Sequence, residues 1–195
     1  MAQSYRATST TSVPPDYFEL KDKTFAVIVS VDRTVEVDFP GLTGEILRRV
    51  TERLADPAND AGTSGYVRPI DVVAYLSNNP GWRSKPYGEV AQDLGGVDRL
   101  IFIELSEFRL GDPGNEYIWD GVASGTLAVI EADSGLPDDF AYQKSIKVTF
   151  PDQVGQTEEN MPRQLVTSAL LGRFIDRASW PFFTHEERFP EFMKY

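Results

Sequence analysis

Few residues in this chain have the type and spacing to make or break a bond. His185 is the sole histidine, set between Thr184 and Glu186 in an aromatic stretch. One imidazole can act as a lone general base, but it cannot supply the several ligands of a multi-histidine metal site. Its simpler reading is a packed or exposed surface histidine. Asp112, Asn115 and Glu116 in "GDPGNE" offer oxygen atoms without the ligand spacing of a calcium hand, and read as a hydrated hairpin. Glu104 and Glu107 have an odd spacing along an extended run, which places them on opposite faces of a strand rather than as a glycosidase pair. Asp138 and Asp139 are adjacent carboxylates in a turn, where hydration satisfies both.

Phosphate and acyl chemistry fare no better. "GLTGEI" has two glycines before a helix but no Lys-Ser/Thr, and neither GxGxxG nor GxSxG occurs. Ser106 and Ser124 lack the strand–turn–helix setting of an activated serine. The absence of cysteine removes disulfides, thiol nucleophiles and thiolate metal sites. Trp82, Trp119 and Trp180 could stack a ligand, although core or interface packing is the commoner role of each. No catalytic, cofactor-binding or metal-binding set emerges, and no cofactor is expected.

The totals are those of one globular body. A chain of 195 residues, 41% apolar and 25% charged, can bury a core without covalent staples. Its formal charge of -11 disfavours nucleic acid and a basic membrane patch, both of which need clustered Lys and Arg. No apolar run approaches the roughly 20 residues of a membrane span. The start, "MAQSYRATSTTSVPPDYFELKDK", has neither a basic opening nor an apolar segment, so no signal peptide is visible.

Residues 1–22, rich in Ser, Thr and Pro, read as a flexible tether or tail. A single α/β domain is expected over 23–180, with 181–195 as an aromatic C-terminal extension. "TFAVIVSV" (24–31) is the first strand, and "TVEVDF" (34–39) extends it beyond a bend or forms a separate extended piece. Helices are expected near 43–55, with Thr43 as N-cap, near 69–78 behind Pro69, and near 85–94, stopped by Gly95 and Gly96. Between the first two, "YVRP" suits a short strand.

The run "LIFI" (100–103) is apolar on both faces, as a strand covered on both sides should be. "YIWDGVASGTLAVIEAD" (117–133) and "FAYQKSIKVTF" (140–150) follow as strands, so 98–150 reads as a three-strand antiparallel meander. Gly121 and Gly125 share one face, which implies a bulge or a closely packed helix. The last helix, near 160–178, carries Leu165, Ala169 and Gly172 on one ridge and Val166, Leu170 and Phe174 on its neighbour. The fold class is therefore α/β (α+β), a mixed sheet of about 4–5 strands packed by these helices.

This order of elements, with a tether ahead of it, resembles a superfamily of bacterial envelope lipoproteins. It includes the curli-secretion and Pel-secretion lipoproteins, activators of penicillin-binding proteins and TolB amino-terminal domains, with an anticodon-binding-like α/β domain. The likeness rests on "KTFAVIVSV", "GLTGEILRRVTERL", "YGEVAQDLGGVDRLIFIELSEF", "GVASGTLAVIEADSG" and "RQLVTSALLGRFIDRASWPFF". It spans about residues 23 to 180 and departs from the family in having no lipid-accepting Cys and no leader. The resemblance implies a non-enzymatic periplasmic domain, often outer-membrane-associated, acting in assembly, scaffolding or secretion. Partners would be an envelope protein or further copies of the chain, no nucleic acid, and a membrane only through a lipid anchor absent from this chain. No catalytic residue comes with it.

Trp180, Phe182, Phe183, Phe189 and Phe192 are the expected contact surface, because aromatics are favoured as interface anchors. Covering the domain's own core is the competing role. The alternative function is a small-ligand module or enzyme with a site at the ends of the meander, walled by Trp119, Glu104 or Asp120. The alternative location is the cytoplasm.

Overall fold

The computed structural model describes residues 10–115 and 117–188. A five-stranded mixed sheet runs in the order β3-β2-β4-β5-β6, and β1 and β7 form a separate two-stranded sheet. The strands are β1 (Thr10–Val13), β2 (Thr24–Val31), β3 (Gly65–Tyr66), β4 (Arg99–Arg109), β5 (Gly121–Glu131), β6 (Phe140–Phe150) and β7 (His185–Arg188). The helices are α1 (Arg33–Asp38), α2 (Leu42–Ala55), α3 (Pro69–Asn78), α4 (Tyr87–Asp93) and α5 (Arg163–Ser179). β2 lies parallel to both β3 and β4, while β4, β5 and β6 form the antiparallel meander expected of 98–150.

β2 is the hydrophobic centre: Phe25 through Val29 are all buried, which matches its unbroken apolar run. α2 buries Leu42, Ile46, Leu47, Val50 and Leu54 against it. α5 packs over β5 and β6 through Val166, Leu170 and Phe174, while Leu165 on the neighbouring ridge stays 51% exposed. Gly95 and Gly96 end α4 at φ 95° and 71°, where a β-carbon would be strained.

Several expectations need correction. "TVEVDF" is the helix α1, not an extended piece. The Asp32 carboxylate accepts from Thr34 N–H at 2.8 Å and starts a helical turn, while Val37, which alternation would pair with Val35, is 73% exposed. Gly41, not Thr43, caps α2. Thr43 instead donates to Glu36 Oε2 at 2.7 Å and Gly41 N–H donates to Glu36 Oε1 at 3.0 Å, so one carboxylate ties α1 to α2.

The third correction concerns the tether. Tyr17 and Leu20 belong to the core, with Leu20 1% exposed. Arg99 Nε donates to Glu19 O, and Tyr17 N–H donates to Pro181 O, both at 2.9 Å. Finally, β5 begins at Gly121 rather than 117, because Trp119 turns aside to bond Gln156 O through its backbone N–H and Met161 O through its indole.

β4 carries a bulge. Leu105 pairs with Gly125 but Glu107 pairs with Ser124, leaving Ser106 as the extra residue. Glu107 therefore lies on the face that Ser124 shares with Thr126, which is Glu104's partner. The two glutamates expected on opposite faces are on one. Gly125 permits this, since a β-carbon there would lie 1.9 Å from Glu104 O.

Candidate functional site

The face of the sheet away from α5 is only partly covered, and the opening is an aromatic cleft. Its floor is set by β4 and β5: Phe102 and Glu104 alternate on β4, opposite Ala128 and Thr126. Its wall comes from the chain between α3 and α4. A short 3-10 turn at Trp82–Ser84 brings Trp82 over Phe102, with ring centroids 6.3 Å apart and planes 16° from parallel. Tyr87, the first residue of α4, meets Phe102 at 5.0 Å and Phe140 at 5.7 Å.

That last contact depends on the β5–β6 turn. Asp138 accepts from Gly88 N–H at 2.9 Å, and Pro137 would lie 3.2 Å from a β-carbon at Gly88. The turn therefore docks on α4 and carries Phe140 to Tyr87. The cleft encloses about 410 Å3, within the roughly 300 to 1,000 Å3 of small-ligand sites.

Two charged side chains enter this cleft in different states. Arg83 is held: its guanidinium lies 5.3 Å from the Trp82 ring centroid and Nη2 donates to Ser30 Oγ at 2.6 Å. Glu104 is exposed, and no side chain among the described residues bonds or pairs with it. The same is true of the Gln143 amide on β6.

A titratable cluster lies at the other end of the parallel strands. Arg99, 3% exposed, pairs with Asp133 and donates to the carbonyls of Asp98 and Glu19. Bonds from Lys23 and Arg99 hold the Asp133 carboxyl below its ordinary range despite partial burial. Asp98 is likewise lowered, chiefly by accepting from Thr24 N–H at 2.8 Å. Burial, then the bond to Glu131, pushes the Tyr17 phenol up. All of these groups are satisfied by the fold, so the cluster is a clamp on residues 17–24. Among the described residues no group of three carboxylates or imidazoles is arranged to hold a metal.

The expected contact aromatics are dispersed. Phe182 and Phe183, 3% and 6% exposed, are core residues, with Phe182 edge-on to Tyr17 at 5.9 Å. Their burial inside one chain is the competing role, covering the domain's own core. Trp180 is half-buried, stacked on His185 at 4.4 Å and flanked by Arg177 at 4.8 Å. Phe189 and Phe192 lie outside the described residues. Of the residues expected to wall a ligand site, only Glu104 reaches the cleft, whereas Trp119 and Asp120 serve the loop beyond β4.

This fold has solved counterparts. Over 90% of this chain and 96% of the other, it superposes on the PelC dodecamer from Paraburkholderia phytofirmans at a TM-score of 0.50 and 12% identity. It also matches lipoprotein GNA1162 from Neisseria meningitidis at 0.51 and 11% identity, covering 80% of this chain and 96% of that one. The fold is therefore shared with a dodecameric PelC and with a lipoprotein. At these identities the likeness is one of architecture. The sequence matches no protein-family model and no curated protein.

The antiparallel meander and the long helix after it lie where the sequence pattern put them. The cleft was less legible. Trp82 has the type to stack a ligand, but Tyr87 reads as one more member of a core-facing stripe. Phe102 is hidden inside "LIFI", whose apolar continuity implies a cover on both faces. The cover is incomplete, and Phe102 is only partly buried.

Proposed function

We propose that the chain is a non-enzymatic cell-envelope protein of lipoprotein type, acting on the periplasmic side in assembly, scaffolding or secretion through protein contacts. Contacts between copies of itself are part of this reading. The observation that carries it is the shared fold with PelC, which is a dodecamer, over nearly the whole of both chains. The internal use of polar groups supports the same reading: Arg99 spends its hydrogen bonds on Asp133 and on the carbonyls of Asp98 and Glu19, tying the fold together.

Trp180, together with the aromatic segment beyond Arg188 that contains Phe189 and Phe192, is the proposed contact region. Native mass spectrometry and light scattering test the self-association at concentrations of about 10 to 100 μM. A defined multimer is expected. A strict monomer across that range, with the aromatic segment present, would remove assembly from the proposal.

A further inference from the structure

We propose that the aromatic cleft beside α4 is a binding site for a small organic cation, an ammonium or guanidinium carried on an apolar stem. The site is independent of whether copies of the chain assemble.

The argument starts from what the cleft leaves unmet. Trp82, Tyr87, Phe102 and Phe140 expose ring surface to one volume of about 410 Å3. Aromatic faces carry negative potential and attract cations within about 6 Å of the ring centroid. The cleft already shows that preference, because Arg83 lies on Trp82 at 5.3 Å and, among the described residues, hydrogen-bonds only the neutral Ser30 hydroxyl. Arg83 thereby occupies the outer ring. Tyr87, Phe102 and Phe140 remain.

Charge then selects the ligand. Glu104 is two residues from Phe102 on the same strand face, roughly 6.7 Å along the strand. Its carboxylate has no partner among the described residues, and neither has the Gln143 amide across the sheet. A carboxylate beside ring faces favours a cation whose stem lies on the rings and whose head donates to Glu104. An anion would gain only Arg83, already oriented to Ser30, and would face Glu104 at close range. The net charge of -11 also raises the local concentration of cations. Thr126, opposite Glu104, offers a further acceptor for a second N–H.

The test uses the three indole N–H signals of the full chain in a nitrogen-15 NMR titration. Arginine amide and phenethylammonium are the probes, and citrulline amide is the neutral near-isostere of the first, both amino-acid amides being Nα-acetylated so that the guanidinium is the one charge that differs. The Trp82 indole should move while those of Trp119 and Trp180 stay. Arginine amide should bind at least about tenfold more tightly than citrulline amide, and Glu104→Gln should abolish that preference. Salt near 0.5 M should weaken the charged probes alone. A capped Gly-Arg-Gly peptide distinguishes sources: binding equal to arginine amide assigns the cation to a partner's side chain, and weaker binding to a free molecule. An unmoved Trp82 signal overturns the site. Equal binding of the charged and neutral probes, or a preference that survives Glu104→Gln with the spectrum otherwise native, overturns its charge selectivity.

Discussion

Arg99 and Asp133 form an ion pair at the start of the meander, with Arg99 nearly closed to solvent and Asp133 at its edge. The guanidinium also satisfies the carbonyls of Glu19 and Asp98, so it joins the N-terminal segment to the sheet. Arg99→Ala leaves those carbonyls without their donor and Asp133 with Lys23 alone. It should cost about 2 kcal/mol, because Asp133 can rehydrate. Arg99→Lys keeps the charge but loses the planar fork, and should cost about half as much. Urea denaturation of the three proteins checks this ordering.

The same cluster sets the acid limit. Asp98 and Asp133 have folded-state values below their unfolded ones, from the Thr24 backbone bond and the Lys23 and Arg99 bonds respectively. A lowered carboxyl contributes stability that is present above its unfolded value of 3.8 and lost as pH falls through the folded one. Melting temperature should therefore be steady near neutrality and decline below about pH 4. Asp98→Asn should lower the neutral plateau and flatten the acid slope. An unchanged slope would detach Asp98 from acid unfolding.

Two glycines should respond oppositely to alanine. Gly125→Ala drives a β-carbon into the backbone oxygen of Glu104, and the bulge must move or break. A loss of about 3 kcal/mol is expected. Gly172, inside α5, has nothing within 4 Å of its missing β-carbon. Gly172→Ala should stabilise by about 0.5 to 1 kcal/mol through helix propensity. Chemical denaturation of both variants gives the contrast.

The C-terminal aromatics should separate stability from association. Phe182→Ala opens a cavity beside Tyr17 and should cost about 3 kcal/mol. Ending the chain after Trp180 should unfold it or leave it poorly cooperative, since it also removes β7 and Phe183. Trp180→Ala leaves the core aromatics in place and, on the proposed function, should shift the distribution of oligomers more than the melting temperature. Calorimetry and light scattering on the same samples read the two effects.

The core was legible where one pattern had one solution. The unbroken run Phe25–Val29 is a central strand, and Val166, Leu170 and Phe174 mark the buried side of α5. Short-range competition hid the rest. Val35 and Val37 alternate like a strand, but the Asp32 cap and the Glu36 bridge turn that segment into α1. Glu104 and Glu107 exchange relative faces because of one extra residue, Ser106, which no count along a regular strand can show. The partial burial of Phe102 depends on how far the Trp82 turn reaches across the sheet, a tertiary fact with no local signature. Likewise the Ser, Thr and Pro content of the first residues masks Tyr17 and Leu20, two apolar side chains that find the core through long-range contacts.

The pairing of β1 with β7 puts Thr10 opposite Arg188 and Val13 opposite His185. Chain preceding the first pair and chain following it thus depart from a single corner of the body. A pull applied between those two exits would peel the four pairs one after another, like a zip, before any of the long β4–β5 ladder bore load. The four-pair ladder β1–β7 is the element that such a pull would load first.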